Sequence, residues 1–171
     1  MKDPNDVKFV AAIEDADGTA RFRDDLTPFR AGPNSPSVKF WRFEGADALI
    51  PASVGGVPTD NRFTGPGGAT FQLVRFPAHF LGVTAEELRR ANPSVQLDDG
   101  DDPEMHSTDT IDMGFVVSGK VDLKLPGDQV RTLSAGSAFV IAGARHAWAN
   151  PYDEPCAFSN VIVGVAREGV S

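Results

Sequence analysis

Short apolar runs broken by turn residues fill the second half of the chain. Asp112 to Val117, Lys120 to Leu125, Val130 to Leu133, Ala138 to Ala142 and Phe158 to Val165 each read as a strand, rich in β-branched and aromatic residues. Between them stand Ser118-Gly119, Pro126-Gly127-Asp128, Ala135-Gly136 and Asn150-Pro151. Glycine and asparagine accept left-handed backbone and proline cannot donate to a ladder, so these are turns. Strands this closely spaced predict an all-β sandwich or barrel, because βαβ units need far longer connections.

The first half is less regular. Val7 to Ile13 is apolar and β-prone, Asp15-Ala-Asp17-Gly18 has turn chemistry, and Ala20 to Phe22 returns. A breaker segment over residues 31–37 precedes Val38 to Phe43, where both faces are partly apolar. Residues 51–68 hold three prolines and five glycines and read as a long loop; Ala69 to Phe76 is another strand. Thr84-Ala-Glu-Glu87 has capping-box spacing, which predicts a short surface helix through about Ala91, ended by Asn92-Pro93. The acidic stretch from Asp98 to Glu104 misses the spacing of a calcium loop and reads as a solvated loop. We expect one structural domain, in which residues 1–68 add strands and a loop to a barrel formed by residues 69–171.

A chain of 171 residues with 41% hydrophobic and 23% charged residues can bury a core without disulfide or metal staples. It has no apolar run of membrane-spanning length, and Met-Lys-Asp-Pro-Asn-Asp at the start lacks the apolar centre of a signal peptide; the expectation is a cytoplasmic protein. A formal net charge of −8 with dispersed basic residues argues against nucleic acid or an anionic membrane as partner. The single cysteine, Cys156, falls in a strand and is expected to be a buried small hydrophobe.

Two segments carry candidate chemistry. The first is His106-Ser-Thr108-Asp-Thr-Ile-Asp112-Met-Gly114-Phe-Val-Val-Ser-Gly119, and the second is Gly136-Ser-Ala-Phe-Val-Ile-Ala-Gly143-Ala-Arg-His146-Ala-Trp148-Ala-Asn150. In order, with a strand and a Pro-Gly turn between them, they resemble the paired motifs of the cupin superfamily. The first cupin motif runs His-x-His, three or four residues, Glu, six residues, Gly. Here Thr108 replaces the second histidine and Asp112 the glutamate, while the spacing from Asp112 to Gly119 is kept. The second motif is one residue short after Gly136 and lacks its proline. The chain resembles one branch of small bacterial single-domain cupins. That resemblance implies a double-stranded β-helix, or jelly-roll barrel, with extra N-terminal strands and one short helix, and a homodimer.

Strand parity puts His106, Thr108, Asp112 and Gly114 on one face, and His146, Trp148 and Asn150 on another shared face. A carboxylate at Asp112 inside an apolar strand is costly unless paired, so we expect it to meet His146, His106, Arg145 or a metal. The resemblance implies a divalent metal (iron, nickel, manganese or zinc) held by His106, His146 and Asp112. The alternative for the same three residues is acid–base catalysis without metal, as in an isomerase, cyclase or dehydratase. Thr108, Trp148 and Asn150 are expected to contact the ligand, although the plainer reading of Trp148 is core packing. The plainer readings also put Asp109 in a turn and His79 in a surface loop. The expected function is turnover of a small, partly apolar organic molecule with a carbonyl, hydroxyl or carboxylate. The rival from another class is a binding or sensor protein that holds such a ligand without chemistry.

Overall fold

The structure, a computed structural model, describes residues 9–15, 17–27, 63, 65–91, 95–96 and 103–167. In chain order the elements are strands Phe9–Glu14 (β1), Ala20–Phe22 (β2) and Ala69–Phe76 (β3), helix Ala85–Ala91 (α1), then strands Thr110–Ser118 (β4), Lys120–Leu125 (β5), Gln129–Ser134 (β6), Ala138–Ala142 (β7), Ala147–Ala149 (β8) and Cys156–Gly164 (β9). Apolar residues on both faces of β1 favour a place inside a sheet. Accordingly β1 runs antiparallel to β2 on one side and parallel to β7 on the other. The larger sheet has the order β2-β1-β7-β4-β9-β3, and the smaller β6-β5-β8.

The two sheets close over one core as an all-β double-stranded β-helix. Val10, Ala12, Val116, Phe139, Ile141 and Phe158 come from the larger sheet, and Val121, Leu123, Leu125 and Leu133 from the smaller. Burying each such aliphatic or aromatic side chain contributes about 1.5–3 kcal/mol. The turn from β4 to β5 requires glycine. Gly119 has φ 72°, and a Cβ there would lie 2.3 Å from the Pro155 carbonyl oxygen.

Strands β2, β3, β5 and β7 have the bounds expected from the sequence, and the other expected strands in the described residues shift by one or two residues. Strand β8 was not expected as a strand; its three residues pair with β5 between Asp122–Ala149 and Lys124–Ala147. The expected strand Val38 to Phe43, the Asn92-Pro93 helix stop, most of the 51–68 loop and most of the acidic loop lie outside the described residues. Among the described residues no helix is long and apolar enough to cross a membrane.

Candidate functional site

The two motif histidines face each other across a backbone bridge. His106 donates its N–H to the His146 carbonyl at 3.1 Å, and His146 returns one to His106 at 2.9 Å. Residues exchanging both bonds stand directly opposite on one face, and the imidazole centroids lie 4.7 Å apart. Each ring has its Nδ1 against a backbone carbonyl, His106 on Glu104 at 3.1 Å and His146 on Ala144 at 2.9 Å. A carbonyl only accepts, so Nδ1 carries the proton and Nε2 keeps a lone pair. Burial holds the His106 pKa below the usual imidazole value. Burial, with the neighbouring His106 as a second cause, pushes His146 down to about 3. Both rings are therefore neutral at physiological pH.

Asp112 lies on β4, across from Ile141 of β7 and Ile162 of β9. Its hydrogen-bond partner is not a histidine or Arg145, two of the partners expected from sequence, but the Thr110 hydroxyl, which donates to Oδ1 at 2.7 Å. The physical reason is parity: Thr110 sits two residues earlier on the same face, within reach of the short aspartate side chain. Thr110 in turn lies 2.7 Å from the Thr108 hydroxyl. Burial raises the Asp112 pKa to about 6, partly opposed by the Thr110 bond.

His106, His146, Asp112, Thr108 and Trp148 all line one cavity of about 190 Å³. Trp148 also packs on Phe139 and Phe158, with centroids 5.2 and 4.9 Å away, so it serves both as wall and as core. Val83 and Leu88 place the entrance to α1 and the helix itself on the wall, in addition to the surface role expected of that helix. Three polar contributors were not anticipated. Thr110 orders Asp112, while Gln72 of β3 and Asn160 of β9 line the cavity as cross-strand partners. The signal for Gln72 and Asn160 was present, since each is an amide on the inward parity of an apolar strand.

Asn150 is placed elsewhere. Its Nδ2 donates to the carbonyls of Pro77 at 2.8 Å and Glu154 at 2.9 Å, and its Oδ1 accepts from the Tyr152 N–H at 3.2 Å. Strand β8 ends at Ala149, so the parity argument that put Asn150 beside Trp148 stops one residue too early. Asp109 does more than turn the chain: it accepts from Arg167 Nε at 2.7 Å and from Gln96 at 2.8 Å. His79 is exposed, 3.4 Å from Asp153. Cys156 is buried, and burial pushes its thiol up to about 11, which removes thiolate chemistry at neutral pH.

The donor set can be tested against a metal. Two neutral imidazoles with Nδ1 anchored on carbonyls have the form of metal ligands. Among the described residues, however, no three His, Cys, Asp or Glu side chains gather as a group that could hold an ion. The expected trio of His106, His146 and Asp112 lines one cavity without forming such a group. The described residues do not form a three-ligand centre.

Comparison with known proteins places the site in a known context. Residues 94–163, which contain all of these polar groups except Gln72, match the family model for the cupin domain. Oryzines biosynthesis cluster protein J of Aspergillus oryzae is 35% identical over 57 residues, covering 33% of this chain and 32% of that protein. Phomopsin biosynthesis cluster protein D of Diaporthe leptostromiformis is 38% identical over 56 residues, covering 33% of this chain and 30% of that protein. The matched segment thus spans about a third of the length of each of these relatives. Among solved structures, a cupin protein from Bacteroides fragilis is similar at a TM-score of 0.40 and 20% identity, covering 72% of this chain and 93% of that one. The DMSP lyase DddQ from Ruegeria pomeroyi is similar at a TM-score of 0.38 and 16% identity, covering 60% of this chain and 41% of that one.

Proposed function

We propose that this chain, whose residues 94–163 match the cupin-domain family model, is an enzyme of small-molecule metabolism that moves a proton on a partly apolar ligand without a metal. The observation that carries the reading is Asp112, a carboxyl group on the wall of an aromatic cavity with its pKa raised to about 6. A base whose pKa lies near the working pH combines the correct protonation state with a strong enough driving force. The neutral Nε2 atoms of His106 and His146 stand beside the same cavity as acceptors that orient the substrate or take the proton onward. The fungal relatives named for biosynthesis clusters support a place in small-molecule metabolism.

The test is proton exchange in heavy water. A panel of small ketones, β-hydroxy carbonyl compounds and α-amino carbonyl compounds with apolar substituents is followed by proton NMR. We expect at least one member to lose an acidic C–H signal faster with wild-type protein than with buffer. Asp112→Asn is expected to abolish that exchange while its melting curve stays cooperative. Exchange that survives in Asp112→Asn, or wild-type protein that accelerates no panel member, would sink the reading.

A further inference from the structure

The cavity is poor in hydrogen-bond donors. Each histidine commits its Nδ1–H to a backbone carbonyl, which leaves a lone pair at Nε2. Asp112 accepts one bond at Oδ1, and no partner meets Oδ2. While Asp112 is ionised, Thr110 gives its proton to the carboxylate, so Thr108 must donate to Thr110. Thr108 Oγ1 then has only lone pairs to offer the cavity. Asn160 is 4% exposed, and its Oδ1 is buried without a hydrogen-bond partner. Such an orphan acceptor costs roughly 1–3 kcal/mol unless something supplies a donor.

Against these acceptors, and the Glu104 carboxylate that also lines the wall, the described residues set the amide hydrogens of Gln72 and Asn160 and the Trp148 indole N–H, and no lysine or arginine is among them. The buried Asp112 carboxylate thus lacks a cationic partner. The remaining wall is largely aromatic and aliphatic, with Phe76, Phe80, Trp148 and Phe158 around it. Aromatic faces attract cations as well as apolar groups.

We propose that the ligand is a primary ammonium ion bearing an apolar or aromatic group, its N–H donors shared between Asp112 and Asn160 and its body against Trp148, Phe76 and Phe158. Asp112 pairs with Ile162 and Gly114 with Asn160, so Asp112 and Asn160 are diagonal neighbours on adjoining strands, and one small cation spans them. A ligand carboxylate would instead meet a carboxylate and a set of lone pairs. Of the carbonyl, hydroxyl and carboxylate groups expected from sequence, this disfavours the carboxylate. The proposal rests on the cavity being the functional site, as the preceding reading holds.

Calorimetry with three probes of one shape tests it: benzylammonium, benzyl alcohol and benzoate, titrated into the full chain at pH 7.5 and in zinc(II)-free buffer. We expect benzylammonium to bind, benzyl alcohol to bind more weakly, and benzoate to give no heat. Asp112→Asn and Asn160→Ala should each weaken benzylammonium about tenfold or more, the effect of losing one charge-assisted or buried hydrogen bond. Retained near-native melting curves would separate these losses from unfolding, and Gln72→Ala is a further variant should either fail to fold. Benzoate binding as tightly as benzylammonium would overturn the proposal, as would unchanged benzylammonium affinity in both variants. No binding of any probe, with stoichiometric binding of zinc(II) alone, would overturn it too and return the acceptors to a metal. Preference for the ammonium can hold without proton exchange, and exchange can occur without the preference, so this proposal and the acid–base reading fail separately.

Discussion

The barrel interior has two halves built from the same strands. On β4, Val116 enters the closed apolar half and Asp112 the open polar one; on β9, Phe158 borders the core and Asn160 faces the cavity. The closed half is filled by Leu123, Leu133, Val121 and Phe139, each at most 1% exposed. The open half keeps a cavity among His106, His146, Asp112 and Asn160. Between them lies Gly114, where an added Cβ would fall 2.2 Å from the Phe139 ring. The missing side chain lets the phenyl ring lie against the strand as a partition. Identical backbone parity therefore yields stability at one end and unmet polar groups at the other, and which one results depends on side-chain chemistry alone.

The largest expected effect comes from breaking the partition. Phe139 touches Trp148 and Phe158 edge-on, both with centroids 5.2 Å away. Phe139→Ala removes those contacts and extends the cavity into the core, at a cost of about 3–5 kcal/mol. At two to four degrees per kcal/mol for a chain of this size, Tm should drop by roughly 10 °C. Differential scanning calorimetry reads it directly. A drop below about 3 °C would mean that the closed half does not depend on this ring.

Asp112→Asn should act in the opposite direction on stability. The folded protein holds the Asp112 proton to about pH 6, against an ordinary carboxyl value of 3.8. Folding therefore takes up a proton between those two values. Wild-type stability falls as pH rises from about 4 through 6, and the whole penalty is present above that, about 3 kcal/mol. A neutral amide of the same shape avoids it. Urea unfolding at pH 7.5 should show the variant more stable by up to about 3 kcal/mol, with the difference vanishing near pH 4. His146 works from the other side, since its depressed pKa costs stability as pH falls below the ordinary imidazole value of 6.5. That loss is common to both proteins, so it does not confuse the comparison. A variant less stable than wild type at pH 7.5 would show that Asp112 supports the fold instead of straining it.

Much of this division was legible in the chain. Alternating apolar residues and glycine-bearing turns fixed the strands from β4 to β7, and the spacing of His106, Asp112 and His146 placed them in one pocket. Three-dimensional partners were not legible. Thr110 reads as an ordinary strand residue, and only its hydroxyl, 2.7 Å from Asp112, shows why the carboxylate does not turn to a histidine. Asn150 and Asn160 look alike as strand-end and strand-interior amides. One is saturated by three backbone groups and the other has an orphan oxygen, a distinction set by where neighbouring chain segments pass.

The smallest expected effect tests whether the open half needs its helical wall. The capping box at the start of α1 is reciprocal: the Glu87 N–H donates to Thr84 Oγ1 at 3.2 Å, and the Thr84 N–H donates to Glu87 Oε2 at 3.0 Å. A helix of seven residues cannot sustain itself by propensity, so its ends and its packing hold it. Thr84→Ala removes one of the two caps and should cost about 1 kcal/mol, a Tm change of roughly 3 °C. Amide exchange at Glu86 to Leu88 should quicken before any global unfolding. Because Leu88 and Val83 line the cavity, ligand affinity is the sharper readout. Benzylammonium affinity that falls in Thr84→Ala, with the melting curve barely moved, would make the helix part of the binding wall. Unchanged affinity beside quickened exchange would leave the strands alone responsible for the open half.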